Sequence, residues 1–152
     1  MPASGNSLVD ANVWLALAVD AHIHHAAALN WFAGQAEGSC AFCRLTQLAL
    51  LRHLTNGKMT NGKIMGAANV QTQEQAWHAY EALAADPRVV YLDEPAGLTP
   101  IFKSLTQTPQ PAQKRWSDAF LAAFATRLGL EIVTFDADFA NFSGLPVRLL
   151  SG

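Results

Sequence analysis

Three aspartates in this sequence, Asp10, Asp118 and Asp136, stand where carboxylates could do chemistry together. Asp10 and Asp136 each end a short apolar run typical of a strand, and Asp118 stands at the predicted start of a helix. Because the carboxyl ends of parallel strands form the ligand-binding edge of open α/β sheets, we expect the three side chains to converge. Carboxylates this close raise one another's pKa unless a cation neutralises them. The pattern therefore predicts a metal site.

A hard divalent cation is the natural complement of such a cluster. Mg²⁺ prefers oxygen ligands and is usually held by one or two carboxylates together with substrate phosphates, and Mn²⁺ accepts the same ligands. Such an ion activates an attacking water and offsets charge on a phosphodiester. The acids therefore indicate metal-dependent phosphodiester hydrolysis, with Mg²⁺ as the expected cofactor and Mn²⁺ as its alternative. Asp138 either joins this shell or begins the next turn.

The elements that position these acids alternate between strand and helix. A helix is predicted from Ser117-Asp118 to a stop at Gly129, followed by a strand over residues 130–135 that is apolar enough to be buried on both faces of a parallel sheet. The apolar face of that helix is made by Phe120, Leu121, Phe124, Ala125 and Leu128. Other strands are predicted at residues 8–9, 39–43, 89–92 and 146–150. Other helices are predicted at residues 13–19, 26–34, 44–56, 71–85 and 98–105, with loops at 57–70 and 106–113. In the helix over residues 44–56, one apolar face is made by Leu45, Leu48, Leu51 and Leu54.

Length and composition favour one folded domain over residues 1–152. A hydrophobic content of 51% with 14% charged residues excludes a disordered chain. The first residues lack the order of a signal peptide and no apolar run is long enough to cross a bilayer, so we expect a cytoplasmic protein without a membrane partner.

The net charge of −2 does not indicate a nucleic-acid partner for the molecule as a whole. A local basic patch is the alternative, because residues 44–63 contain no acid. Its candidate members are Arg44, Arg52, His53, Lys58 and Lys63, with Lys114 and Arg115 later in the chain. On charge alone, solvated surface is the favoured interpretation.

Histidines and cysteines form a second group of candidate ligands. His22, His24 and His25 are close in sequence, and Cys40 and Cys43 have a C-x₂-C spacing. Structural zinc needs four ligands and no second such pair is present, so we favour buried thiols in the second strand and surface histidines near a helix start.

Several single residues have an ordinary structural alternative. A helix cap is the alternative role of Asp10, because aspartate is favoured there, but the recurrence of the pattern at Asp136 favours the site. Large apolar side chains are assigned to the core, although the first three are also candidates for a partner surface: Trp14, Leu29, Trp31, Trp77 and Tyr80.

The sequence resembles the PIN-domain nucleases and, within them, the VapC toxins of bacterial toxin–antitoxin pairs. The matching motifs run in order through LVDANVWLAL, CRLTQLALLRHLTN, KRWSDAFLAAFA and TFDADFANFSGL. The resemblance implies a three-layer α/β/α fold with a five-stranded parallel sheet. It also implies that Asp10, Asp118 and Asp136 are catalytic metal-binding acids, with Asn12 as the polar companion of the first.

One position departs from the family pattern. Many PIN domains have a glutamate on the helix after the second strand, and Gln47 stands at the matching place. An amide is neutral and a weaker ligand for a hard cation, so Gln47 is expected to bond to a metal-bound water or a substrate phosphate instead. Thr46 and Arg44 are then neighbours of the substrate path, and Arg44 has the planar fork that contacts phosphate.

The activity implied by the resemblance is a Mg²⁺-dependent endoribonuclease that cleaves structured RNA such as transfer RNA. A VapB-like antitoxin and a homodimer are the implied partners. Two alternatives stay open. One is a catalytically weakened PIN domain that binds RNA or protein. The other is a receiver-like phosphoryl-transfer domain, which predicts a phosphorylated Asp10, although Asn12 stands where the haloacid-dehalogenase version needs a second acid.

Overall fold

The computed structural model describes residues 6–56 and 70–152 and contains a five-stranded parallel sheet in the order β3-β2-β1-β4-β5. The strands are β1 (Ser7–Val9), β2 (Cys40–Phe42), β3 (Val89–Tyr91), β4 (Glu131–Thr134) and β5 (Val147–Leu149). Every strand end lies within one residue of its prediction. The expected five-stranded parallel α/β fold is therefore confirmed.

Six α-helices connect and cover these strands: α1 (Ala11–Ala18), α2 (His25–Ala33), α3 (Arg44–Leu54), α4 (Gln73–Ala84), α5 (Leu98–Thr106) and α6 (Arg115–Leu128). A short 3₁₀ helix follows β4 at Ala137–Asn141. Gly129 ends α6 at a φ of 70°, the left-handed conformation that glycine adopts without strain. The predicted loop at 57–70 lies outside the described residues except for Val70.

Two helices begin two residues earlier than predicted. Helix α1 begins at Ala11 rather than at residue 13, because the Asp10 side chain accepts a hydrogen bond from the Ala11 N–H at the helix start. Helix α6 begins at Arg115, so Asp118 lies inside its first turn and not at its cap.

Side chains of the central strands alternate between two hydrophobic cores, one on each face of the sheet. Leu8 and Ile132 belong to one core, and Val9 and Val133 belong to the other. This alternation is what a strand period of two residues produces when helices cover both faces. The three-layer arrangement is therefore confirmed. None of the helices in the described ranges is long and apolar enough to cross a membrane.

Several predictions of burial were wrong. Four side chains assigned to apolar faces or the core are 40–49% exposed: Leu29, Leu48, Trp77 and Leu128. In contrast, His22 is buried rather than at the surface. Cys40 and Cys43 are buried free thiols, as expected.

Candidate active site

The sheet brings Asp10 and Asp136 to the same edge. Strand β1 is hydrogen-bonded to β4, with Val9 opposite Val133, and the Asp10 N–H donates to the Val133 carbonyl at 2.9 Å. Asp10 follows β1 directly, and Asp136 follows β4 by two residues. The two carboxylates therefore leave neighbouring parallel strands at their carboxyl ends, where ligands bind in such sheets.

Asp10 is both a helix-capping residue and a member of the candidate site. One carboxylate oxygen accepts from the Ala11 N–H at 2.7 Å, and the other accepts from the Thr134 hydroxyl at 2.8 Å. Burial raises the pKa of Asp10, and the nearby charge of Asp136 raises it further, while the two hydrogen bonds act in the opposite direction. The carboxylate is thus fixed in place by two donors but carries a desolvation cost when it is charged.

Thr134 was missed by the sequence reasoning, although it joins the elements of the site. Its fully buried hydroxyl donates to Asp10 and accepts from the Asn12 side-chain amide at 3.2 Å and the Asp136 N–H at 2.9 Å. The Asn12 carbonyl oxygen accepts from the Phe135 N–H at 3.3 Å. The available signal was a hydroxyl residue within the otherwise apolar end of a predicted buried strand. Buried hydroxyls are nearly always hydrogen-bonded, so such a residue indicates a polar network.

Asp118 completes the group of acids from helix α6. A cavity of about 330 Å³ at the sheet edge is lined by Asp10, Asp118 and Asp136. Burial raises the pKa of Asp118 to about 6, with further contributions from the charges of Asp10, Asp136 and Asp138 that exceed the lowering by Arg115. The three predicted acids therefore share one cavity and interact electrostatically.

The other predicted site residues divide into two groups. Asn12 and Thr46 line the carboxylate cavity, as do the basic candidates Arg52 and His53. The Thr46 hydroxyl is already bonded to the backbone of Cys43, where it stabilises the start of α3.

Gln47 and Arg44 are not among the residues that line the carboxylate cavity. Their side chains bond to each other, with Arg44 Nη1 donating to Gln47 Oε1 at 2.5 Å. The catalytic role of Gln47 stays a prediction that this placement does not support. Lys114 and Arg115 line an adjoining cavity of about 530 Å³ that also contains Asp118 and Asp138, whereas Lys58 and Lys63 lie outside the described residues.

The donor set fits a hard divalent cation, although it does not enclose one. In the described residues, no group of three or more His, Cys, Asp or Glu side chains is arranged to hold a metal by itself. Mg²⁺ requires fewer protein ligands, since it keeps several waters and is commonly held by one or two carboxylates with substrate phosphates. The raised pKa values of Asp10 and Asp118 also mark an excess of negative charge that a cation would relieve.

Comparison with known proteins shows which family the chain is similar to. The sequence profile of the PIN domain matches residues 7–145. Ribonuclease VapC41 of Mycobacterium tuberculosis is 42% identical over 148 residues, covering 95% of this chain and 98% of the relative.

Two solved structures share the fold at low sequence identity. The M. tuberculosis toxin VapC20, described as cleaving the sarcin–ricin loop, matches with a TM-score of 0.65 at 16% identity, covering 95% of this chain and 99% of that one. A chain of VapBC2 from Rickettsia felis, solved with a promoter DNA fragment, matches with a TM-score of 0.65 at 13% identity, covering 95% and 98%. At these identities the two structures show a common fold.

Proposed function

Since this chain belongs to the PIN-domain family, and within it to the VapC ribonucleases, we propose that it is a Mg²⁺-dependent endoribonuclease that acts as the toxin of a VapBC pair. The observation that carries the proposal is the convergence of Asp10, Asp118 and Asp136 on one cavity, with the pKa of Asp118 raised to about 6. Such a cluster lowers the stability of the folded protein when its acids are charged, which favours a metal-binding role over a decayed site.

In this proposal the three aspartates hold the ion, with Mn²⁺ as an alternative to Mg²⁺. When bound, the ion supplies activation of the attacking water and stabilises the charge that develops on the phosphodiester. The protein supplies the positioning. The Thr134 hydroxyl fixes the orientation of the Asp10 carboxylate, and the Asn12 amide in turn orients Thr134. This network holds β1 and β4 in the register that brings Asp10 and Asp136 together.

The proposed substrate is a structured RNA, such as transfer RNA, cut in an unpaired loop. Arg52 and His53 border the carboxylate cavity, and Lys114 and Arg115 border the adjoining one. The positive charges of Arg52, Lys114 and Arg115 offset the repulsion between a phosphate backbone and the carboxylates. Burial and the charge of Arg52 lower the pKa of His53, so this side chain borders the cavity as a neutral donor or acceptor. Unpaired loops suit a site of this kind, because their bases can turn out of the stack.

The remaining parts of the proposal concern the protein's setting. We propose that residues 1–152 form a single PIN domain, which acts in the cytoplasm as a homodimer and is inhibited by a VapB-like antitoxin. Support for the antitoxin comes from structures that share this fold, because VapBC complexes are among them.

The test compares the wild type with Asp10→Asn on total cellular RNA, with Mg²⁺ or Mn²⁺ and with a chelator. Asparagine caps a helix about as well as aspartate, so the variant should fold normally while losing the negative charge. The matched control is Asp20→Asn, which removes a carboxylate whose side chain is 99% exposed. We expect cation-dependent cleavage by the wild type and the control, and none by Asp10→Asn. Equal cleavage by Asp10→Asn, or cleavage that survives the chelator, would refute the proposal.

A further inference from the structure

A second groove opens beside the carboxylate cavity, between the first turns of α3 and α6. It has a volume of about 340 Å³ and is lined by Arg44, Leu45, Leu48, Glu94, Trp116, Ser117 and Phe120. Three of these residues, Leu45, Leu48 and Ser117, also line the carboxylate cavity. This groove, which we call the Trp116 groove, therefore adjoins the proposed site of cleavage.

Trp116 presents a large exposed aromatic surface in the groove. It is 57% exposed, and Leu48 across the groove is 49% exposed. The Phe102 ring packs against the indole at a centroid distance of 6.0 Å. Trp116 stands two residues before Asp118 in the first turn of α6, so the helix fixes its position relative to that acid. Large apolar side chains exposed together beside a polar site mark a binding surface.

A fixed cation stands at the rim of the groove. The guanidinium of Arg44 donates to Gln47 Oε1 and lies over the Tyr91 ring, 5.4 Å from its centroid. An arginine held on two sides keeps its other donors in a defined direction, and its planar fork matches the geometry of phosphate. The groove thus combines an aromatic face with an ordered phosphate-binding group.

We propose that the Trp116 groove binds one unpaired nucleobase of the RNA next to the scissile phosphate, with the base stacked on Trp116 and the adjacent phosphate paired with Arg44. This inference rests on the proposed ribonuclease function. Single-stranded RNA is bound by this combination of aromatic stacking and positive charge, and every base has a face that can stack. Gln47, which stands where the family pattern has an acid, then acts as a positioning residue for Arg44.

The experiment measures binding in the Asp10→Asn background, where the RNA is expected to stay intact. The probes are a short mixed-sequence single-stranded RNA with a fluorescent label and the same backbone made of abasic sugars. Trp116→Ala should weaken binding of the normal RNA about tenfold, or about 1.4 kcal/mol, within the range for one stacked base. It should leave binding of the abasic RNA unchanged, whereas Arg44→Ala should weaken binding of both.

Trp77→Ala is the matched control, because Trp77 is 46% exposed on α4 and does not line the groove. Trp116→Phe keeps an aromatic face and should retain most of the affinity, while losing the quenching of tryptophan fluorescence that RNA causes in the parent. It also serves as the second variant if Trp116→Ala proves unstable.

The inference is overturned if Trp116→Ala and Trp77→Ala bind the normal RNA equally well. It is also overturned if Trp116→Ala changes only the affinity for an antitoxin, because the groove is then a protein-binding surface. Failure of the proposed function looks different, since the wild type would then not cleave RNA in the presence of either cation.

Discussion

Asp118→Asn should make the protein more stable at neutral pH, although it removes a residue of the proposed site. The pKa of Asp118 is raised to about 6 in the folded protein, against about 3.9 in an unfolded chain. Between these two pH values the folded state binds more protons than the unfolded state, so stability falls as pH rises through this window. Above this pH window, the charged Asp118 carboxylate destabilises the folded protein by its full amount. Asparagine is neutral throughout and avoids that cost.

The size of the gain follows from the shift in pKa. Two pH units correspond to at most about 3 kcal/mol, and solvent screening of this partly exposed side chain reduces the gain to roughly 1.5 kcal/mol. The first turn of α6 favours an anion through the helix dipole, which offsets about 0.5 kcal/mol. A net gain of about 1 kcal/mol should raise the melting temperature of a chain of this size by about 3 °C.

The assay is thermal unfolding followed by circular dichroism, in buffer with a chelator. It is run at about pH 4 and about pH 7.5, because these values lie on either side of the pKa of about 6 that Asp118 has in the folded protein. The difference between Asp118→Asn and the wild type should be small at the lower pH and about 3 °C at the higher one. Asp20→Asn serves as the control and should show no such pH-dependent gain. An equal effect of Asp118→Asn at both pH values, or a loss at the higher one, would refute the electrostatic reasoning.

Two further predictions concern other groups. Thr134→Val keeps the shape of the side chain but leaves the Asp136 N–H without its acceptor. It should therefore lower the free energy of unfolding, measured in urea, by about 2 kcal/mol and slow RNA cleavage, whereas Thr134→Ser should keep the wild-type stability and cleavage rate. Equal stability of the two variants would argue against the hydroxyl network. Hydrogen bonds from Arg88 lower the pKa of Asp86 to about 2 in the folded protein. The charged Asp86 therefore stabilises the fold above its unfolded pKa of about 3.9, and this stabilisation is lost as pH falls toward about 2. Asp86→Asn should therefore lower stability at neutral pH by less than about 1 kcal/mol, because the pair is partly exposed, and this difference should vanish in acid; a constant difference at all pH values would contradict this cause.

The sequence was sufficient to predict the framework and the acids, because both depend on local patterns. Short apolar runs bounded by polar residues locate buried strands, and a carboxylate after such a run is placed by the parallel sheet at its carboxyl edge. Asp10 and Asp136 could therefore be assigned to one site from their positions in the sequence. Asp118 was placed correctly at the sheet edge although the start of its helix was misplaced by two residues.

The features that were missed depend on which partner each side chain finds in the folded protein. The role of Thr134 requires a partner 124 positions away. Gln47 was assigned to the cleft by its resemblance to a family position, but its side chain bonds to Arg44 one helical turn earlier. The exposure of Leu48 also could not be read from helical periodicity, because the packing of α3 buries Leu54 as predicted but turns Leu50 inward in place of Leu48. Periodicity predicts that a helix has a buried face, but tertiary packing selects which residues form it.

The central position of β1 has a consequence for how the protein is made. Its residues pair with β4, so Asp10 is synthesised long before the strand that aligns it with Asp136 has left the ribosome. Pairings between such distant segments form late, because a long loop must first be closed. A nascent chain therefore carries an incomplete nuclease site until its final strands are translated.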